Sequence, residues 1–182
     1  MQTVPSSEIQ SSKFTQPTNQ EVGKKPYTLK IPCKSYIKKY VASLYGSPVK
    51  IENRTMLGIF LLAVLDKRTY EKRNFGPNQT NKGIEDTILV EVNNWQFNAI
   101  GFDVSAECVM IINDFLEHMF DDSLYVTCFK NSKYKSRKTG YRAIMEGFCK
   151  RHGIELELDI SYEALKKKEY RYRKQIQKNE EK

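Results

Sequence analysis

The chain has 182 residues, of which 40 % are apolar and 12 % aromatic, and its formal net charge is +8. That much apolar surface excludes general disorder and is enough for one domain of good size or two small ones. The longest apolar run, Met56 to Leu65, is about half of a membrane span, and the first 25 residues hold no apolar leader core, so a soluble intracellular protein is expected.

Residues 1–25, rich in Ser, Gln, Thr, Asn and Pro, lack any periodicity and read as a flexible tail. In IPCKSYIKKYVASLYG, from Ile31 to Gly46, the apolar residues Tyr36, Ile37, Tyr40, Val41 and Leu44 recur at spacings of three and four. This predicts an amphipathic helix with Pro32 at its start and Gly46 as its stop. Lys34, Lys38 and Lys39 read as its solvated face, with a second DNA-contacting surface as the alternative. Ser47 to Ile51 is a short connection or strand. Asn53 is placed to cap a second helix over about Arg54 to Arg73, buried in its apolar first half and exposed in its second. Residues 74–83 (NFGPNQTNKG) are a loop full of helix breakers.

Alternation of Ile88, Val90 and Val92 predicts a strand over residues 86–93. The following NNWQFNAIG reads as a second short strand or a turn, anchored by Trp95 and Phe97. A third helix begins near Asp103 or Ser105. Val109, Ile112, Leu116 and Met119 form its inner stripe, widened by Cys108, Ile111 and Phe115. Ser123 to Phe129 reads as a short helix rather than a strand. Residues 130–140 form a basic, flexible loop. Thr139 then caps a helix running through His152, with Gly153 as its stop. Ser161 caps the last helix, Tyr162 to about Gln177, and Ile160 and Leu165 stand at the positions of a hydrophobic staple. Tyr162, Leu165, Tyr172 and Ile176 fall near one side of it.

The expected fold class is therefore α+β and mainly helical. A small two-stranded β element sits in the middle, and a helix-turn-helix-like unit closes the chain. The expected organisation is a tail (1–25), a helical core with an acidic face (26–129), and a basic loop with the terminal helical unit (130–182).

Charge is segregated along this layout. Residues 1–82 hold 14 Lys/Arg against 5 Asp/Glu, residues 83–129 hold 9 Asp/Glu and no base, and residues 130–182 hold 16 Lys/Arg against 8 Asp/Glu. Separated fields of this kind speak about partners rather than fold. The last helix carries Lys166, Lys167, Lys168, Tyr170, Arg171, Arg173 and Lys174, and the loop before the unit carries Lys133, Lys135, Arg137 and Lys138. A helix fits the major groove of DNA, its cations neutralise phosphates, and arginine pairs with guanine edges. Residues 139–178 resemble the helix-turn-helix domains of small phage and mobile-element DNA-binding proteins. The connector Gly153–Ile160 is longer than the usual three or four residues.

The resemblance and the charge together imply a non-catalytic DNA-binding protein, a regulator or accessory factor. The residues expected at the nucleic acid are Lys133, Lys135, Arg137, Lys138, Lys166, Lys167, Tyr170, Arg171, Arg173 and Lys174. RNA is a second candidate partner, since tyrosines interleaved with arginines suit it too. The alternative is a structural or assembly protein of a phage or mobile element that self-associates or binds protein through its opposite charge blocks, with the acidic 83–129 region as the expected protein-binding face. A further option is internal, with the basic helix docked on that same acidic region.

No phosphate loop, nucleophile elbow or HExxH motif is present, and His118 with Asp114 four residues before it implies no nucleophile, so no enzyme is expected. Cys33, Cys108, Cys128 and Cys149 form no CxxC pair, and with His118 and His152 they show no metal-ligand spacing. They read as free thiols, mostly buried, in a reducing cytoplasm. No cofactor is expected.

Overall fold

A computed structural model of the chain describes residues 26–66, 85–102, 104–134 and 140–180. The expected N-terminal tail, the second half of the second helix with its loop, and Thr139 lie outside the described residues.

Among the described residues three strands and six helices follow in order: β1 (Tyr27–Cys33), α1 (Ser35–Tyr45), β2 (Val49–Lys50), α2 (Met56–Leu65), β3 (Asp86–Val92), α3 (Asn94–Ile100), α4 (Ala106–Tyr134), α5 (Tyr141–Arg151) and α6 (Tyr162–Glu180). The protein is thus mainly helical with a small sheet. That sheet has three strands in the order β1-β3-β2, not two. β1 runs antiparallel to β3, pairing Tyr27 with Val92 and Cys33 with Asp86, and β2 runs parallel to β3. Ile31 and Cys33 on β1, Val49 on β2, and Ile88, Val90 and Val92 on β3 turn to one buried face, as period-two alternation requires.

Three sequence expectations are corrected here. Ile31, Pro32 and Cys33 belong to β1, and the helix starts only at Ser35. Proline suits an edge strand as well as a helix start, and the pairing with β3 decides between them. NNWQFNAIG is neither strand nor turn. It forms α3, because Asn93 accepts a hydrogen bond from Gln96 N–H at 2.7 Å while Gln96 reaches back to Asn93 N–H, a complete capping box. Trp95 is 70 % exposed and anchors nothing, whereas Phe97 stacks on Tyr27 at 3.9 Å. α2 is capped by Thr55 rather than Asn53.

α4 is the spine. Its 29 residues span about 43 Å, and Cys108, Ile112, Leu116, Phe120, Leu124 and Cys128 make one fully buried ridge along it. Ser105 caps its start, accepting from Cys108 N–H. The segment Ser123 to Phe129 continues this helix, and so do residues 130–134, where a loop was expected. The expected boundary at residue 129/130 falls inside α4. Phe120 meets Tyr36 and Tyr40 of α1 and Phe148 of α5 edge to face, at 5.0, 5.3 and 5.4 Å between ring centres. One buried cluster therefore runs from β1 to Leu165 on α6.

All four cysteines are free and buried. Burial pushes the Cys33 thiol up to about 12 and the Cys128 and Cys149 thiols up to about 11, which suits small core hydrophobes and not nucleophiles.

Candidate nucleic-acid interface

α5 and α6 are joined by an ordered connector, not a tight turn. Gly153 adopts φ +65° just past α5, the left-handed conformation that favours glycine. Glu157 adopts φ +70°, and its own bonds compensate: its N–H donates to Ile160 O at 2.9 Å and its carboxylate accepts from Tyr162 N–H at 3.0 Å, capping α6. Asp159 ties the connector to α1. It accepts from Ser35 Oγ at 2.8 Å, Lys39 Nζ at 2.7 Å and Glu155 N–H at 2.7 Å. Burial pushes the Asp159 carboxyl up, but these donors outweigh it and hold it below the usual carboxylate range. Ser161 caps α6 through Ala164 N–H, and the staple residues Ile160 and Leu165 are both buried, as the sequence predicts.

α6 has two unlike faces. Leu165, Lys168, Glu169, Tyr172 and Ile176 recur at spacings of three and four and turn toward α4. Lys168 bonds Glu117 at 2.6 Å and Asp121 at 3.2 Å, and its ammonium lies 5.7 Å from the Tyr36 ring centre. Tyr172 donates to Asp122 at 3.0 Å. Lys34 of α1 shares Glu117 from the other side. Burial pushes the Glu117 carboxyl up, but its two lysines outweigh that and hold it low. Asp121, buried with one lysine to share, is raised. The internal docking of basic helix on acidic segment is therefore realised, though by one lysine of α6 and not by its whole charge.

The other face holds Lys166, Lys167, Tyr170, Arg171 and Lys174, all exposed, with Arg173 at its border. Among the described residues no carboxylate lies within ion-pair distance of Lys166, Lys167, Arg171 or Lys174. Arg173 pairs loosely with Glu169 at 3.8 Å. Arg173 and Lys174 stand 5.7 and 5.1 Å from the Tyr170 ring centre. Beside them opens a groove of about 500 Å³, lined by Tyr141, Lys166, Lys167, Glu169, Tyr170 and Arg173, among others.

Six of the ten expected contact residues are thus placed on or beside one surface. Lys133 lies in the last turn of α4, and Lys135, Arg137 and Lys138 lie outside the described residues. The lysines at α1, expected as a solvated face, are half-exposed, and each is held by a carboxylate. Lys34 pairs with Glu117, Lys38 with Asp86 at 2.7 Å, and Lys39 with Asp159 and Glu155.

Sequence reasoning missed Glu169, only 3 % exposed, and the inward turn of Lys168. The signal was there: both positions fill the helical spacing between Leu165 and Tyr172. His152 was also missed as a packed residue. It is buried against Tyr40 and Phe148 with Nδ1 2.6 Å from Ser43 Oγ, and burial, helped by Arg151, holds its pKa below the usual histidine value. His118 lies beside the Tyr172 ring at 5.3 Å.

Among the described residues no group of three His, Cys, Asp or Glu side chains is arranged to hold a metal ion, and no helix is long and apolar enough to cross a membrane. No family model matches the chain, and neither a curated protein nor a solved structure shows significant similarity to it.

Proposed function

We propose that the protein is a non-catalytic DNA-binding protein that lays the outward face of α6 against the phosphate backbone. The observation that carries this reading is the division of charge on α6. Among the described residues the helix meets carboxylates of another element through one lysine, and Lys166, Lys167, Arg171 and Lys174 stand exposed with no carboxylate within ion-pair distance. Concentrated, unpaired cations on a rigid helix release counterions from a polyanion at little cost in reorganisation. Lys150 and Arg151, exposed in the last turn of α5, are two further cations of the terminal unit. A role as regulator or accessory factor of a phage or mobile element follows from the helix-turn-helix resemblance alone. The ten-residue link from His152 to Ser161, and the packing of both helices on α4, set the unit apart from the tight-turn form of that motif.

The assembly alternative has less to work with, because Glu117, Asp121 and Asp122 of the acidic region already serve Lys34, Lys168 and Tyr172.

Fluorescence anisotropy of labelled duplex DNA across a salt series tests the reading. The full chain binds with steep salt dependence. Replacing Lys166, Lys167, Arg171 and Lys174 by Gln flattens the slope of log K against log[salt] by roughly 0.9 for each phosphate no longer neutralised, with the thermal midpoint unchanged. Absence of binding at low salt by the folded full chain overturns it.

A further inference from the structure

Trp95 is the chain's single tryptophan, and it stands 70 % exposed in the first turn of α3. An indole carries far more apolar surface than a solvated helix turn needs. With Asn93 and Gln96 it lines a groove of about 440 Å³, whose other side is the turn before α2, with Glu52, Asn53 and Arg54. Both sides are fixed. Thr55 N–H donates to Glu52 O at 3.2 Å, and a Cβ at Gly58 would stand 2.1 Å from that same oxygen, so glycine is what lets the turn lie against α2. The α3 side is held by the Asn93–Gln96 capping box. Gln96, 5 % exposed, also reaches across to Ile51 O at 3.5 Å. The indole is therefore presented on a preorganised support.

We propose that this groove is a second nucleic-acid site, which stacks an unpaired base of a DNA strand on Trp95, with Arg54 at the phosphate and Asn53 at the base edge. It goes beyond the reading of α6, on a different part of the fold. Apart from Trp95 the groove's lining is polar except for Ile51, which is buried. An apolar protein patch has little to meet there. A base brings a flat π face for the indole and a hydrogen-bonding edge for its polar neighbours. Arg54 and Asn53 are exposed, and among the described residues neither side chain has an ion-pair or hydrogen-bond partner. An amide offers both donor and acceptor and so matches the mixed edge of any base, and a guanidinium pairs with phosphate. Glu52, at the same groove, repels phosphate and leaves that contact to Arg54. In a duplex both faces of a base are covered by its neighbours, so an indole plate calls for a strand that is single or opened.

The test follows Trp95 emission, which reports on this groove alone because the chain has no other tryptophan. The full chain is titrated with oligothymidine, with an abasic strand of the same length, and with a duplex, and binding is read in parallel by anisotropy of the labelled nucleic acid. Oligothymidine is expected to quench the emission, and the abasic strand and the duplex to bind without quenching it. Trp95→Ala is expected to weaken oligothymidine about tenfold and to leave duplex binding unchanged. Arg54→Gln flattens the salt slope for oligothymidine by about 0.7. Both positions are exposed, and an unchanged thermal midpoint confirms that the variants fold. Strand and duplex binding that leaves the emission unmoved, or equal quenching by the abasic strand, overturns the Trp95 groove and leaves the α6 reading standing. Quenching by oligothymidine with no duplex binding sustains the groove and overturns the duplex reading of α6. Emission that answers only to the concentration of the chain itself puts a second copy on the indole and overturns the proposal.

Discussion

Lys34, Lys38 and Lys39 on α1 look along the chain like Lys166, Lys167 and Lys174 on α6. Both sets sit on amphipathic helices, close together, with tyrosines between them. In three dimensions they are opposites. Each lysine of α1 meets a carboxylate carried by another element: Glu117 of α4, Asp86 of β3, and Asp159 with Glu155 of the connector. Among the described residues only Lys168 of α6 does so, through Glu117 and Asp121. The difference lies in position and not in residue type. α1 is wedged between the sheet, α4 and the connector, whereas α6 packs on α4 along one side only. Charge counted in a sequence is therefore not charge available to a partner.

Substitutions on either side of that contrast should separate the two helices. The largest effect is expected at Phe120, the ring that joins α1, α4 and α5. Phe120→Ala should cost roughly 3–5 kcal/mol and lower a single unfolding transition in urea. Two separate transitions would show that the helices do not share one core.

Asp159→Asn should come next. It weakens a side chain that meets Ser35, Lys39 and Glu155 at once, and the loss should be about 2 kcal/mol at neutral pH. Because the folded carboxyl titrates below its unfolded value, its contribution is present above about pH 4 and disappears as pH falls through the folded pKa. The stability gap between the wild type and Asp159→Asn should therefore close on acidification. A gap that stays constant with pH would remove the charge from the explanation.

The smallest effect separates the two sets of lysines directly. Lys38→Met should cost only about 0.5 kcal/mol, since its pair with Asp86 is partly exposed, and should leave duplex binding alone. Lys166→Met should do the reverse, with no change in thermal midpoint and a flatter salt slope. Matching effects from the two variants would erase the distinction between α1 and α6.

Much of the helical layout is legible in the residues themselves. The spacing of Tyr36, Ile37, Tyr40 and Val41, the ridge of α4, the Ser161 cap with its Ile160–Leu165 staple, and the Gly46 and Gly153 stops are local signals. Each acts within one or two turns. β1 was not legible, because Ile31 to Cys33 become a strand only by pairing with Asp86 to Ile88, more than 50 residues along the chain. α3 was hidden for a different reason, since its capping box competes with the strand preference of Trp95 and Phe97.

Residue order alone makes the chain mainly helical, segregates its acid from its base, and leaves its last helix basic. Local spacing and composition carry that information without reference to distant residues. Which cations are consumed and which remain is a property of the folded chain. An ion pair between Lys34 and Glu117, or Lys168 and Asp121, depends on two segments far apart in sequence meeting at hydrogen-bond range. The same holds for Glu169. Its carboxylate is an ordinary helical charge in the sequence, and becomes the floor of a groove only once α6 lies against α4 and the start of α5.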